Sequence, residues 1–269
     1  MIFFIVLLTT GIVGGLLAGI TGIGTGIIMI AVIPHALMYL GLPEEHIVQF
    51  TIANTLFATM CSSFVNNVQV FIKKQGHIKE TLLLSLAAAI SAATILQLVV
   101  FGTSYTTQLY NSVIVIILLY IVLRTLYKLK KNFHLIESIT VPKLLVTGSC
   151  GGAISALTGL GGASIIIPML NLWMKVSITK AKSIAYGTIF ISSFIITLLN
   201  ASHKPPIEIP NMHLGYLILP VALPLFIGVI IGSPVGLRIG DKFNHKTVSY
   251  LFLSILSIVM INKIIELVP

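Results

Sequence analysis

The stretch GGLLAGITGIGTGIIMI, from Gly14 to Ile30, interrupts a long apolar run with closely spaced glycines. A related stretch, GGAISALTGLGGASIII, occupies Gly151 to Ile167, 137 residues further along the chain, and is identical to the first at seven of seventeen positions. Glycine-broken apolar segments at corresponding places in the two halves of a membrane chain are a strong sequence indication of a transporter binding site. This repeat therefore predicts both the architecture and the position of the site.

The composition is that of a protein that crosses a membrane many times. Of the 269 residues, 57% are hydrophobic and 9% are charged, and the mean hydropathy is +1.07. A soluble domain of this length cannot bury so much apolar surface. The net charge of +9 does not indicate nucleic acid, because the basic residues fall in short loops between apolar runs.

The apolar residues form eight runs, each at least as long as one membrane span. These runs cover residues 2–33, 47–72, 80–101, 106–127, 143–173, 183–200, 213–236 and 247–267. Runs 2–33 and 143–173 are too long for one span and too short for two, and both contain a glycine break. We interpret run 2–33, which has no basic residue before it, as a membrane segment rather than a cleaved signal peptide.

The basic residues favour one of two topologies. If all eight runs cross, the sixteen Lys and Arg residues divide ten to six between the two sides; if each broken run enters and returns as a hairpin, they divide fourteen to two. The positive-inside rule prefers the second arrangement. The fourteen are Lys73, Lys74, Lys79, Arg124, Lys128, Lys130, Lys131, Lys143, Lys175, Lys180, Lys182, Arg238, Lys242 and Lys246.

This topology predicts an all-α polytopic membrane protein with two inverted-topology repeats, each a broken re-entrant helical hairpin plus three transmembrane helices. Residues 1–127 would form membrane repeat 1, residues 128–142 a basic cytoplasmic linker, and residues 143–269 membrane repeat 2, with both termini extracytoplasmic. Half-helices of ~13–15 residues reach the bilayer interior without crossing it. We therefore expect the two breaks to meet near the middle.

Each break can form an anion site from the backbone alone. The helix that restarts at about Thr25, or at about Ala163, would present unpaired N–H groups and the positive end of its dipole. No Lys or Arg lies in the middle of a run, so N–H groups and hydroxyls would have to hold the anion. The alternative is that glycines only permit close helix packing, which we favour for Gly228, Gly232 and Gly236.

The run after each break adds a polar helical face. Thr188 and Ser192 stand at the repeat offset of Thr51 and Thr55. Whether these faces line a substrate path or only hydrogen-bond between helices stays open. The face in the first half comprises Thr51, Thr55, Thr59, Ser62 or Ser63, Asn66 and Gln69. The predicted substrate-binding residues are Thr21, Gly22, Gly24, Thr25, Gly26, Thr51, Asn54, Thr55, Thr158, Gly159, Gly161, Gly162, Ala163, Ser164, Thr188 and Ser192.

The sequence does not indicate an enzyme. It contains no HExxH, no Gly-x-Gly-Asp and no GxxxxGK[ST] motif, which argues against hydrolysis and ATP-driven pumping. We expect no catalytic residue, no metal and no cofactor. The carboxylates lie in loops or, like Glu80 and Glu266, at the ends of runs, so the coupling ion stays open.

Two stretches, Gly14 to Pro34 and Gly151 to Leu170, together with the polar helix after each, resemble the TauE/SafE family of sulfite exporters, also called the toluene sulfonate uptake permease family. The resemblance covers nearly the whole chain. The family pattern is similar to G-x-G-G-G followed by proline. Thr25 stands in place of one glycine in the first copy, and Ala163 in place of the last glycine in the second.

The resemblance implies a secondary transporter, in the direction of export, for sulfite or a small organosulfonate across the cell inner membrane. Its partners would be this small anionic substrate and the lipid bilayer. A passive anion channel, a carrier of another small carboxylate or oxyanion, and a homodimeric state stay open at this point.

Overall fold

A computed structural model describes residues 2–22, 24–102, 105–129, 137–209, 212–240, 242–243 and 245–267. These residues form ten α-helices and one short β-hairpin. The helices are α1 (Ile2–Thr21), α2 (Gly26–Tyr39), α3 (Ile47–Ile72), α4 (Ile78–Ile95), α5 (Thr107–Leu129), α6 (Val141–Thr158), α7 (Ala163–Pro168), α8 (Ile178–Ser202), α9 (Leu219–Gly240) and α10 (His245–Ile265). Two π-helical turns, Leu96–Val100 and Met169–Trp173, extend α4 and α7.

Within the described part of the chain, seven helical segments are long and apolar enough to cross a membrane. Large apolar side chains point outward on these helices; Leu98 and Ile116, for example, are 75% and 67% exposed. Such a surface is stable only against lipid. The chain is therefore an all-α polytopic membrane protein, as its composition predicts. The most buried of the seven segments contain α3 and α8, which lie at the centre of the bundle.

The two ends of the bundle differ in charge. At one, called here the acidic end, α3 begins beside Glu44 and Glu45, and the Thr107 hydroxyl at the start of α5 donates to the Glu44 carbonyl. At the other, called here the basic end, Lys73 and Lys74 follow α3. The start of α8 and the end of α9 also lie at the basic end.

Each broken segment folds into a hairpin. Phe3 and Tyr39 stack at 5.4 Å between ring centroids, so α2 returns to the end of the bundle where α1 begins, the acidic end. In the second hairpin the Lys143 ammonium lies 5.9 Å from the Trp173 ring centroid, which joins the start of α6 to the turn after α7. This second hairpin opens at the basic end.

The arms of the hairpins are less equal in length than predicted. Helix α1 has 20 residues, α2 has 14 and α6 has 18, while α7 has 6 residues followed by a π-helical turn of 5. The expectation of arms of ~13–15 residues is wrong for α1, α6 and α7, and α1 is long enough to span a membrane. The reason is that the earlier glycines of each motif stay helical, and the chain leaves the helix only after Thr21 and Thr158.

These helical glycines pack helices closely. A Cβ on Gly232 of α9 would lie 2.1 Å from the Ile12 carbonyl oxygen of α1, and a Cβ on Gly152 of α6 would lie 2.1 Å from the Ala88 carbonyl oxygen of α4. Both distances are far below van der Waals contact, so only glycine permits α9 to pack this closely on α1, and α6 on α4. The packing role predicted for Gly228, Gly232 and Gly236 is confirmed.

Two other element boundaries differ from the apolar runs. Helix α8 begins at Ile178, five residues before its run, because the Ser177 side chain caps it by accepting the Lys180 N–H. Run 213–236 begins with a β-hairpin, in which His213–Leu214 pairs with Leu217–Ile218, and becomes helical only at Leu219. Residues 130–136 of the predicted linker, together with Pro210 and Asp241, lie outside the described residues.

Candidate functional site

Both breaks leave the helix through glycines with positive φ. Gly22 and Gly24 have φ of +84° and +107°, and Gly159 and Gly161 have φ of +73° and +75°. Side chains strain this backbone conformation. The backbone conformation of each break therefore requires glycine at both of these positions.

The two breaks touch each other, as the sequence predicts. Helix α2 restarts at Gly26 and α7 at Ala163, close to the predicted positions. A Cβ on Gly26 would lie 2.7 Å from the Leu160 Cα and 2.8 Å from the Gly159 carbonyl oxygen, so the backbones of the two breaks pack directly on each other.

Thr59 of α3 joins the two breaks. Its hydroxyl lies 3.1 Å from the Thr25 hydroxyl in the first break. Its Cγ2 would lie 2.7 Å from a Cβ on Gly161 in the second break. Thr59 is fully buried, so this central helix contacts both breaks with one rigidly packed side chain.

Side-chain donors occupy the carbonyls at the end of α1. The Lys182 ammonium donates to the Ile20 carbonyl at 2.9 Å, and the Tyr186 hydroxyl donates to the Ala18 carbonyl at 3.3 Å. The last carbonyls of a helix lack intrahelical partners and carry the negative end of its dipole. Two residues of α8 therefore add donors at the negative end of α1, where the Ala18 carbonyl also accepts the Gly22 N–H at 2.9 Å.

The end of α6 is satisfied in a similar way. The Tyr105 hydroxyl donates to the Leu157 carbonyl at 2.7 Å, and the Tyr110 hydroxyl donates to the Thr158 carbonyl at 3.3 Å. Burial raises the pKa of Tyr105 well above its ordinary value, which keeps this phenol protonated and a donor.

The starts of α2 and α7 have no equivalent partners. Among the described residues, no side chain caps α2 at Thr25 or α7 at Gly162. The first N–H groups of a helix carry the positive end of its dipole. Two carbonyls at the end of each of α1 and α6 accept side-chain donors, so the described residues compensate the negative helix ends more fully than the positive ends.

Buried hydroxyls with no partner among the described residues occur on α3, α6 and α8, the helices around the second break. Thr55 contacts Gly159, since its Cβ would lie 3.3 Å from a Cβ placed there. The hydroxyl oxygens of Thr51, Thr55, Thr188 and Ser155 are buried and have no hydrogen-bond partner among the described residues. Buried polar groups are normally paired, so these hydroxyls can donate to a further partner.

Two other predicted residues occupy equivalent places in the repeat and have local partners. The Thr21 hydroxyl donates to the Leu17 carbonyl at 2.7 Å, and the Thr158 hydroxyl donates to the Ile154 carbonyl at 2.7 Å. The Thr158 hydroxyl also accepts the Leu160 N–H at 3.1 Å, which fixes the path of the chain into the second break.

The remaining predicted polar residues are buried, and their hydroxyl or amide groups bond to the backbone. The Ser164 and Ser192 hydroxyls donate to carbonyls three residues earlier, at 3.4 and 3.3 Å. The Asn54 amide donates to the Tyr216 carbonyl at 3.2 Å and accepts the Ile218 N–H at 3.2 Å. Asn54 therefore ties the β-hairpin before α9 to α3.

Sequence reasoning missed five residues that make contacts at the centre. It placed Thr59 on a polar helical face but not between the breaks, and it placed Lys182 in a loop, whereas this residue lies inside α8. It did not select Tyr105, Tyr110 or Tyr186. The position of Thr59 one turn after Thr55 on the predicted polar face could have indicated it, whereas the other four contacts depend on how distant helices pack.

The space at the first break is small. A cavity of about 10 Å³ lies beside Gly24 and Thr25, closed by Phe252 and Ile255 of α10. This is room for about one water molecule. The space beside the first break is therefore too small for a substrate in this structure. Among the described residues no group of three or more His, Cys, Asp or Glu could hold a metal ion.

Membrane-length helices around two broken helices that meet at a buried, hydroxyl-rich centre define a polytopic membrane transporter, and comparison with known proteins agrees. The family model for sulfite exporter TauE/SafE matches residues 7–262. The chain is 26% identical to a probable membrane transporter protein of Methanocaldococcus jannaschii, over 94% of this chain and 92% of the relative. It is 24% identical to a probable membrane transporter protein of Haemophilus influenzae, over 98% and 99% of the two chains.

This chain belongs to the sulfite exporter TauE/SafE family. The resemblance noted in the sequence is thereby confirmed, and the protein is a membrane transporter rather than an enzyme.

Proposed function

We propose that this protein is a secondary transporter that exports sulfite or a small organosulfur anion, with its binding site where the two breaks meet. The proposal rests on one observation, which is that the carbonyl ends and the N–H ends of the helices at the breaks differ in their side-chain partners. Side chains donate to carbonyls at the ends of α1 and α6, whereas no described side chain caps the N–H ends of α2 and α7. The donors are Lys182, Tyr186, Tyr105 and Tyr110. An oxyanion accepts hydrogen bonds only, so it complements these ends.

The proposed shell combines backbone and hydroxyl donors. The N–H groups at Gly26 and Ala163 would bind the oxygens, and the glycines before them would keep the approach free of side chains. The unpaired hydroxyls of Thr51, Thr55 and Thr188 would complete the hydrogen bonds. The proposed substrate-binding set is the one named from the sequence, with Thr59 added as the residue that contacts both breaks.

We infer that the two halves are inverted repeats and that they alternate in exposing the site. Supporting this, the first hairpin opens at the acidic end and the second at the basic end. Alternating access to a site at the interface of two inverted repeats is a common transport mechanism. With the basic end in the cytoplasm, as the positive-inside rule favours, both termini lie outside the cytoplasm in an inner membrane.

A carrier fits the closed centre better than a channel does. A passive channel needs a continuous water-filled path through its filter. The cavity of about 10 Å³ at the first break does not hold even a small oxyanion. A substrate would therefore enter only after a conformational change, which is the behaviour of a carrier.

Flux of labelled sulfite into proteoliposomes tests the proposal. The purified chain should give saturable flux with trans-stimulation by internal sulfite, and flux no greater than in empty vesicles would refute the substrate assignment. Linear flux without trans-stimulation would refute the carrier mechanism.

Thr55→Val tests the site itself. Valine keeps the shape of threonine and removes a buried hydroxyl that lacks a partner. The empty protein should be as stable as the wild type or up to ~1–3 kcal/mol more stable. The KM for sulfite should rise about tenfold, the effect of losing one hydrogen bond to an anion.

Thr147→Val is the matched control. Thr147 is also buried with an unpaired hydroxyl, but it lies on α6 twelve residues before Gly159, or about 18 Å along the helix axis. Its replacement should leave the KM unchanged. Equal effects of the two substitutions on the KM would show that Thr55 does not bind substrate.

A further inference from the structure

A buried ion pair lies at the end of α10, beside the start of α5 at the acidic end. The Lys263 ammonium is 2.6 Å from a carboxylate oxygen of Glu266, and the Asn111 amide of α5 donates to the same oxygen at 3.2 Å. The Lys263 side chain is 1% exposed and that of Glu266 is 25% exposed. Lysines near the ends of membrane helices normally extend toward the water, whereas Lys263 turns inward between α10 and α5.

Stability alone does not explain this pair. Two charges lose their hydration when they are buried, so a buried ion pair often contributes no more to stability than an apolar contact of the same volume. Ionisable side chains inside membrane spans are costly and usually mark a functional place. What the pair does provide is a defined position of α10 on α5, because charge-assisted hydrogen bonds such as those to Glu266 are short and directional.

Tyr110 connects this ion pair to the second break. The Lys263 ammonium lies 5.9 Å from the centroid of the Tyr110 ring, within the range of a cation–π contact. The Tyr110 ring is buried, and its hydroxyl donates to the Thr158 carbonyl at the end of α6. The Tyr105 ring packs edge-on against it, with 6.3 Å between the ring centroids, and the Tyr105 hydroxyl donates to the Leu157 carbonyl. The two tyrosines therefore hold the end of α6 from the side of α5.

The two rings stand between the second break and the acidic end. Tyr105 precedes α5 and Tyr110 lies in its first turn, and the Thr107 hydroxyl between them donates to the Glu44 carbonyl at the acidic end. Helix α6 starts at the basic end and ends in the interior at Thr158. The rings therefore cover the side of the break that faces the acidic end, as long as α5 stays on α6.

We propose that Tyr105 and Tyr110 form a gate on this side of the second break and that Lys263 is a positioning residue, which keeps the gate closed through its ion pair with Glu266. The pair and the Asn111 amide fix α10 on α5, and the ammonium fixes the Tyr110 ring. Release of these contacts would let α5 and α10 move away from the end of α6 together. This inference rests on the proposed function, because it assigns to the same central site its exit toward the acidic end.

The test measures how often the gate opens, and it needs no substrate. The reporter is Ser155→Cys, because Ser155 is buried on α6 three residues before Thr158 and cysteine is similar to serine in size. Cys150→Ser and Cys61→Ala remove the native thiols. In detergent micelles at one fixed pH, the rate of reaction with a small, negatively charged methanethiosulfonate reports the fraction of molecules in which the gate is open.

Tyr110→Phe should raise this rate about two- to tenfold, the effect of losing one neutral hydrogen bond. Lys263→Met should raise it to a similar extent, although the described hydrogen bond of Lys263 goes to Glu266 and not to α6. The double variant Lys263→Met/Tyr110→Phe should react no faster than the faster of the two single variants, because both substitutions act on the same contact. An additive effect is expected only if Lys263 stabilises the protein independently of Tyr110.

Two controls separate the gate from a general loosening of the protein. A second reporter, Thr21→Cys at the first break, should react at the same rate with and without Lys263→Met. Tyr250→Phe is the matched control for Tyr110→Phe, because Tyr250 is an exposed tyrosine on α10. It should leave the rate at Ser155→Cys unchanged.

An unchanged rate in Lys263→Met, or a double variant whose rate is the product of the two single effects, refutes the positioning role. An unchanged rate in Tyr110→Phe, or equal acceleration at both reporters, refutes the gate. Should Lys263→Met not fold, Lys263→Met/Glu266→Gln, which removes both charges, decides. None of these rates depends on sulfite, so the proposed function stands or falls separately, by the sulfite flux of the wild type.

Discussion

Replacing Gly161 by alanine should damage the protein in two separable ways. Gly161 has a φ of +75°, and an L-residue in this region costs about 1–2 kcal/mol. The new Cβ would also lie 2.7 Å from Cγ2 of Thr59, a fully buried side chain that cannot move aside. Overpacking of this kind costs about 1–3 kcal/mol. The free energy of unfolding should therefore fall by about 2–5 kcal/mol.

A second substitution separates the two costs. Thr59→Ser keeps the hydroxyl that pairs with Thr25 and removes the methyl group that would clash. In the double variant Gly161→Ala/Thr59→Ser, the contact cost of about 1–3 kcal/mol should be recovered while the backbone cost remains. Gly41→Ala is the control for backbone cost alone, because Gly41 has a φ of +83° and nothing within 4 Å of an added Cβ.

The assay is unfolding by SDS titration in mixed micelles, followed by the fluorescence of Trp173, the single tryptophan of the chain. Sulfite flux by the same variants shows whether the break must keep its shape for transport. If Gly161→Ala is no less stable than Gly41→Ala, or if Thr59→Ser fails to recover stability, the contact between α3 and the second break is not as described.

Three further substitutions test other parts of the structure. Gly232→Ala would place a Cβ 2.1 Å from the Ile12 carbonyl oxygen and should lower the free energy of unfolding by about 1–3 kcal/mol, measured by the same titration. Thr25→Val should cost about 1–3 kcal/mol because it leaves the buried Thr59 hydroxyl unpaired, and Thr25→Ser should recover most of this. Tyr105→Phe should cost about 0.5–1.5 kcal/mol near neutral pH. Because burial raises the pKa of Tyr105, its contribution should be complete below the ordinary tyrosine pKa of about 10 and decrease as the pH rises above it, which SDS titrations between pH 8 and 11 measure.

The positions of both breaks and of most of the helices could be predicted from the sequence. Local chemistry is sufficient there, because paired glycines with positive φ cannot continue a helix, and a long apolar run such as 47–72 forms a single helix over the same residues. The lengths of the hairpin arms depend on packing instead. Gly15 and Gly152 read as part of a break in the sequence, yet they stay helical because another helix packs closely on each of them.

The details of the site could be predicted only in part. Thr55 was predicted as a site residue because Ser192 lies at the corresponding position of the second repeat, and the structure places Thr55 beside Gly159. No local pattern indicates that Lys182 turns inward to the Ile20 carbonyl, because Lys180, two residues away on the same helix, pairs with Glu137 instead. Contacts between residues 162 positions apart depend on the arrangement of the helices, which a single sequence does not specify.

Close helix packing at glycines limits how the molecule can move. Helix α1 lies against α9, and α6 against α4, with their backbones in direct contact. Two helices in such contact cannot slide or tilt against each other without a steric clash. The pair of α1 with α9 and the pair of α4 with α6 therefore each move as a rigid body. Opening of the centre must then take place where these two helix pairs meet α3 and α8. A cross-link within one helix pair should leave transport intact, whereas a cross-link between the two pairs should stop it.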